Sequence, residues 1–207
     1  MLNKIFKTIN NKFNRLFKFI FYLRYLFAIF FAACLIFLLI PQFFDYNKRL
    51  SQIKSYLIKV YGLEIKKMDD IKYHSFPLPH LVINNLETIF YSKKSILNTK
   101  QLVISPNILS IYNYNDFKIR KIELKNNNFA TDLITLKHFF KKILNLENNL
   151  NFQNLDLKIK DLENNIIDLK EIHFSNYGYK KNKIDGLVFG SKFEIEFFGD
   201  LNNFDLK

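Results

Sequence analysis

Four histidines, His74, His80, His138 and His173, and one cysteine, Cys34, are the side chains of this chain best suited to metal binding, proton transfer or nucleophilic attack. Their spacing assembles none of these chemistries. No histidine has a second histidine one helical turn away or a carboxylate cluster beside it. His74 and His80 bracket Phe76-Pro77-Leu78-Pro79, and two prolines so close point to a rigid corner between strands more than to a metal site. Cys34, being the only cysteine, has no intrachain disulfide partner. A Gly-rich phosphate loop, H-E-x-x-H, a paired-cysteine motif and G-x-S-x-G are all missing from the sequence. Gly186-Leu187-Val188-Phe189-Gly190 matches G-x-x-x-G, but it lies in a strand-like stretch, where the match carries no helix-pairing meaning. Lys180-Lys181-Asn182-Lys183 reads as a solvated turn. The expectation is a protein that is not an enzyme and uses no metal or cofactor.

Charge sets the next bound. A formal net charge of +12 raises nucleic acid as a partner, but the excess is unevenly distributed. Lys4, Lys7, Lys12, Arg15, Lys18 and Arg24 all precede the first acid, Asp45, and beyond it basic and acidic residues alternate in small groups. That pattern is a mixed, solvated surface, and no nucleic-acid partner is expected. From Phe19 to Ile40 the chain is apolar apart from Arg24, which lies near one end and can snorkel to the headgroups. A helix of this length covers about 30 Å, the thickness of a bilayer's hydrocarbon core. The basic flank predicts a cytoplasmic tail over 1–18, a single transmembrane helix over 19–41 and an extracytoplasmic remainder, by the positive-inside rule. Cleavage as a signal peptide is disfavoured, because Pro41-Gln42-Phe43-Phe44 follows where a small-residue site would be needed. Phe31-Ala32-Ala33-Cys34 loosely matches a lipobox, yet lipidation of Cys34 would leave Leu35 to Ile40 as an exposed apolar strip. Cys34 fits better as a small residue within the membrane helix.

Beyond the anchor, Leu50, Ile53, Leu57, Val60 and Tyr61 recur at steps of three and four, predicting an amphipathic helix over 45–62. Asp45 is placed to cap it and Gly62 to end it in the left-handed conformation. Its expected place is over the end of a β domain, in preference to the membrane surface. From Leu63 the apolar period becomes two. Strands are predicted near 63–68, 71–76, 80–90, 100–105, 117–125, 152–160, 166–175, 183–189 and 192–198, with one short helix inserted near 135–146. The fold class is mainly β: a curved antiparallel sheet groove, arranged as a meander and capped by the amphipathic helix. Slips of the apolar phase between Ile119 and Ile122, and between Leu169 and Ile172, predict β-bulges. The clearest alternation sets Leu155, Leu157 and Ile159, and then Phe193, Ile195 and Phe197, against charged neighbours, so these six are the candidates for an apolar groove wall.

The order of features from the anchor through Glu87 resembles the N-terminal region of the AsmA-like family of bacterial inner-membrane proteins. Asp45 to Ile53 is similar to the family's D-x-x-x-Y-x-x-x-I opening, without its usual proline and tyrosine spacing. Tyr61-Gly62-Leu63-Glu64-Ile65 stands for T-G-x-x-(V/L/I), with Tyr61 in place of the threonine, and His74 to Leu86 resembles the S-x-F-P-x-P segment and the strand after it. Asp69 occupies the place of a family glycine, and Leu102 to Leu109 is similar to the following strand and turn. The resemblance implies a single-pass protein of the cell inner membrane, with its β-rich AsmA-like domain over 63–207 in the periplasm. It also implies a role in phospholipid movement or outer-membrane assembly, with membrane phospholipids and envelope proteins as partners. Nine strands at roughly 4.8 Å spacing give a groove of about 40 Å, too short to bridge an envelope unaided. Because Asn203 to Lys207 still alternate, the expectation is a short relative working with partners or the start of a longer sheet. The alternative function is a non-transporting envelope scaffold that binds a protein by strand addition.

Overall fold

A computed structural model describes residues 2–90, 95–113, 116–161, 164–179, 181 and 183–197, with side chains from residue 13 onward except residue 17. The alternation at 203–207, the last residue of the ninth expected strand and the side chains of Lys4, Lys7 and Lys12 lie outside the described residues. The chain divides into two compact units, Met1–Phe43 and Phe44–Lys207. In the first, helix α1 (Leu2–Leu39) runs into a 3-10 turn, Ile40–Phe43, where Pro41 ends the α-helical hydrogen bonding. The stretch Phe13–Phe43 is long and apolar enough to cross a membrane.

The second unit is mainly β. Among the described residues its strands are β1 (Leu63–Lys67), β2 (Ile71–His74), β3 (His80–Phe90), β4 (Ile96–Pro106), β5 (Ile119–Thr131), β6 (Asn149–Asp161), β7 (Asn164–Ser175), β8 (Lys183–Val188) and β9 (Ser191–Glu196). They form one sheet in the order β1-β3-β4-β5-β6-β7-β8-β9, with β2 also paired to β3. The predicted meander needs one correction. Lys121 to Thr131 of β5 pair in parallel with Asn149 to Ile159 of β6, whereas every other strand pair is antiparallel. The inserted helix α3 (Leu133–Leu144) makes this possible: parallel neighbours need a long crossover, and α3 is that crossover rather than an interruption.

Two helical pieces cover one sheet face. The expected amphipathic helix is a 3-10 turn (Tyr46–Arg49), a short helix α2 (Leu50–Tyr56) and a π turn (Leu57–Tyr61) ending at Gly62, whose φ is 66°. Asp45 caps its start by accepting from the Asn47 N–H at 3.1 Å. Ile53, Leu57 and Tyr61 are fully buried against the sheet, and the hydroxyls of Tyr56 and Tyr61 donate to the carbonyls of Ile119 (3.3 Å) and Asn149 (3.4 Å). These bonds hold the segment over the starts of β5 and β6. Farther along, α3 drives Phe139 between the rings of Phe90, Phe129 and Phe152, with centroids 4.8, 5.2 and 5.7 Å away.

Both predicted bulges are present. Ser105 pairs with Lys121 and Pro106 with Ile119, which leaves Arg120 as the extra residue; Lys170 and Glu171 together oppose Asp156. A second irregularity, without any extra residue, crosses β3 to β6. Buried Ile83 is followed by Leu86, Thr99 by Leu102, Leu124 by Asn127 and Phe152 by Leu155, so each strand loses one step of its alternation. Asn85, Asn126, Asn154 and Glu171 take positive φ at these slips. The side chain of Asn154 donates to Asn126 Oδ1 at 3.2 Å, and the Glu171 N–H to Asp156 Oδ1 at 3.1 Å. Asn85 stands opposite Lys100, Lys100 opposite Asn126 and Asn126 opposite Asn154, so these slips stay in register from β3 to β6 and keep the apolar residues on one face.

Candidate functional site

The apolar face is sealed over β3 to β6 and opens beyond α3. Burial of its side chains falls across the register from β6 to β9. Leu155, Leu157 and Ile159 of β6 are buried, as are Ile172 of β7 and Ile184 of β8, whereas Phe193 and Phe197 are half-buried and Ile195 is 48% exposed. Between this margin of the sheet and α3 lies a cavity of about 390 Å³. Its sheet side consists of Ile159, Leu169, Ile172, Ile184, Phe193, Ile195 and Phe197, and its helix side of Leu133, Ile134, Leu136, Lys137 and Phe140. Among the described residues of the lining, Lys137 is the one that carries a charge.

Local sequence explains each wall. Asp132 starts α3 by accepting hydrogen bonds from the Thr135 N–H (2.8 Å) and hydroxyl (2.7 Å), which hold its carboxyl below the usual carboxylate range. With the helix begun there, Leu136, Phe139, Ile143 and Leu144 turn into the core, while Leu133, Ile134 and Phe140 flank the cavity. On β9, Phe193 and Ile195 face the cavity, as does Phe197 just after it, and Glu194 and Glu196 face outward. Lys183 on the outer face pairs with Glu194 at 3.1 Å and Glu196 at 3.3 Å, and these bonds raise its pKa. Phe193 lies against β8 because Gly186, its register partner, has no side chain: a Cβ there would stand 3.1 Å from the Phe193 ring. At the crossover, Asn176 accepts from the Leu150 N–H at 2.7 Å and donates to the carbonyls of Leu146 and Asn148, each at 2.8 Å. These bonds fix how β6 leaves α3.

The six expected wall residues therefore separate into two groups. Ile159, Phe193, Ile195 and Phe197 line the cavity together; Leu155 and Leu157 share their face but lie in the closed core, since the sheet is sealed at that point. The expected site lacked the helix wall: Leu133 and Ile134 precede the helix predicted near 135–146, and Leu136, Lys137 and Phe140 lie within it, but only the packing of α3 on the sheet brings them to the cavity. Gly186 was passed over as part of a fortuitous motif. Of the histidines, His74 and His80 stack across the β2–β3 hairpin at 5.3 Å, His138 is exposed on α3, and His173 pairs in register with Asp185. Among the described residues no three His, Cys, Asp or Glu side chains gather at one place.

Chemically, the cavity can hold a hydrocarbon chain with a cation at its rim. Its wall is half finished as a protein core: the residues are those of an interior, and the cover is absent over Ile195 among the described residues. Comparison with protein-family models, with curated proteins and with solved structures finds no match to this chain.

Proposed function

We propose that this chain is a membrane-anchored, AsmA-like protein that holds the acyl chains of membrane phospholipids in the apolar cavity between α3 and β7–β9. In this proposal it serves lipid movement or assembly of the outer envelope, and works by binding rather than catalysis. The observation that carries it is the cavity of about 390 Å³ continuous with the core and ending at half-exposed Ile195. Apolar surface left in water costs about 25 cal/mol per Å², so a wall of this composition favours an apolar occupant. The basic residues before the span support an inner-membrane location with the N-terminus in the cytoplasm and the β unit in the periplasm.

Its test is a photoreactive amino acid at Ile195 in the full-length protein, irradiated in cells and followed by mass spectrometry of the adduct. A phospholipid adduct at 195 that is absent from the same residue at exposed Ile166 is expected. Adducts only with protein, or none, would sink the lipid reading.

The scaffold reading keeps one specific support. Among the described residues β9 is paired on its β8 side alone, so a partner strand has backbone groups to meet on the other. Protein adducts at 195 with no lipid would favour it.

A further inference from the structure

We infer that the two turns at the end of the sheet nearest the chain's entry into the β unit dip into the interfacial zone of the bilayer that α1 enters. The turns are the β2–β3 connection, with Phe76 58% and Leu78 62% exposed, and the turn after β4, with Leu109 75% exposed. Leu81 at the start of β3 pairs with Ile104 near the end of β4, so both turns project from the same end of the sheet. Single exposed apolar residues are ordinary, but three large ones on adjacent turns form a patch that needs a partner.

Chain connectivity identifies that partner. The apolar span runs to Phe43. Three residues of chain reach at most about 11 Å, so Tyr46 lies within that distance of the span's end whatever direction the chain takes. Tyr46 stacks on Tyr73 at 5.9 Å and 11°, three residues before Phe76. Phe44 meets the ring of Tyr112 edge-on at 5.8 Å, three residues after Leu109, and the Arg49 guanidinium donates to the Ile111 carbonyl. Both turns are thus tied, through ring contacts and a buried hydrogen bond, to the first residues after the anchor. Aromatic and apolar side chains tethered this near the end of the span suit the headgroup and upper acyl region, where one side of a ring is wet and the other apolar. Phe76 and Leu78 flank Pro77, and Pro79 follows, so the tip offers few backbone N–H groups to dehydrate.

This inference rests on α1 crossing a bilayer but not on any lipid entering the cavity. It is tested on the full chain carrying Cys34→Ser, with nitroxide labels on single cysteines introduced as Phe76→Cys, Leu78→Cys or Leu109→Cys. The protein is reconstituted in vesicles of phosphatidylethanolamine and phosphatidylglycerol. Ile29→Cys, within α1, and Ile166→Cys, exposed at the opposite end of the sheet, are the references. The expected result is that labels at 76, 78 and 109 meet oxygen more readily than a polar nickel reagent, as at 29, whereas 166 shows the reverse. Aqueous labels at 76, 78 and 109 beside a bilayer-buried 29 would overturn the inference alone. An aqueous label at 29 would overturn it together with the anchor. Labels immobilised yet shielded from both reagents would also overturn it, because protein would then cover the turns.

Discussion

Gly186 on β8 faces Phe193 on β9 in direct register, and the ring occupies the space that a side chain at 186 would need. A methyl group there would stand 3.0 Å from the Lys170 carbonyl oxygen and 3.2 Å from the Ile172 Cα, both backbone atoms, and 3.1 Å from the ring. The ring can swing aside but the backbone at the β7 bulge cannot. Gly186→Ala is therefore expected to destabilise the β unit by about 1 to 3 kcal/mol, as overpacking does, and to displace Phe193 from the cavity wall. Chemical denaturation of the variant checks the first effect. A label at 195 that becomes more mobile checks the second, and unchanged stability would mean that the β8–β9 pair is looser than its register implies.

The cap of α3 should leave a pH signature. Asp132 accepts from the N–H and hydroxyl of Thr135, so its folded pKa lies below its unfolded one. A carboxyl depressed by folding contributes stability above its unfolded pKa of about 3.9 and loses it as pH falls through the folded value. Asp132→Ala is expected to cost about 1 kcal/mol at neutral pH, with the difference from the parent shrinking below about pH 4. Asp132→Asn should retain much of the cap and lack that pH dependence. Melting curves of the three proteins from pH 7 down to pH 3 are the measurement; parallel curves for Asp132→Ala and parent throughout would remove the cap as a contributor.

How much of this was legible from residue order depends on the range of the interaction. The alternation Leu155, Leu157, Ile159 against Asp156, Lys158, Lys160 is local, and period two on a half-buried sheet can be recognised without knowing the neighbours. The slips at Ile119–Ile122 and Leu169–Ile172 are local in the same way. The aligned slips at Asn85, Asn126 and Asn154 are not, because their alignment emerges only when the strands are laid side by side. The parallel pairing of β5 with β6 was hidden for a similar reason: a helix between two strands permits either direction, and the choice rests on contacts such as Phe139 with Phe152, far apart in sequence. Leu157 and Ile195 look alike along the chain. They differ only in what covers them, which periodicity does not report.

Topology gives a prediction independent of the cavity. Six basic residues stand before Asp45, and every one lies at or before the start of the apolar run's interior. A reporter fused after Lys207 is expected to be active outside the cytoplasm, and four lysines inserted after Phe44 should weaken that preference by evening the two flanks. Reporter activity confined to the cytoplasm in the parent fusion would reverse the orientation and withdraw the periplasmic placement with it.

Leu157 and Ile195 occupy the same sheet face, one with no exposed surface and the other 48% exposed, and the same substitution separates a core from a groove wall. Leu157→Asp sets a carboxylate among packed apolar side chains with nothing there to receive it, and is expected to cost several kcal/mol or abolish folding. At Ile195 the carboxylate can reach water across the open margin. Ile195→Asp should then cost only about 1 to 2 kcal/mol, the transfer value of part of one aliphatic side chain. Its effect on lipid should be the larger one, since a charge at the cavity mouth makes entry of an acyl chain unfavourable. Two measurements on the full-length protein decide the matter: the melting temperature, and the phospholipid that remains bound after detergent exchange, quantified by mass spectrometry. A small fall in melting temperature with loss of bound phospholipid is the expected result. A large fall at Ile195 as well as Leu157, with no phospholipid on the parent, would mean that this margin is closed core in solution, and the cavity would lose its proposed occupant.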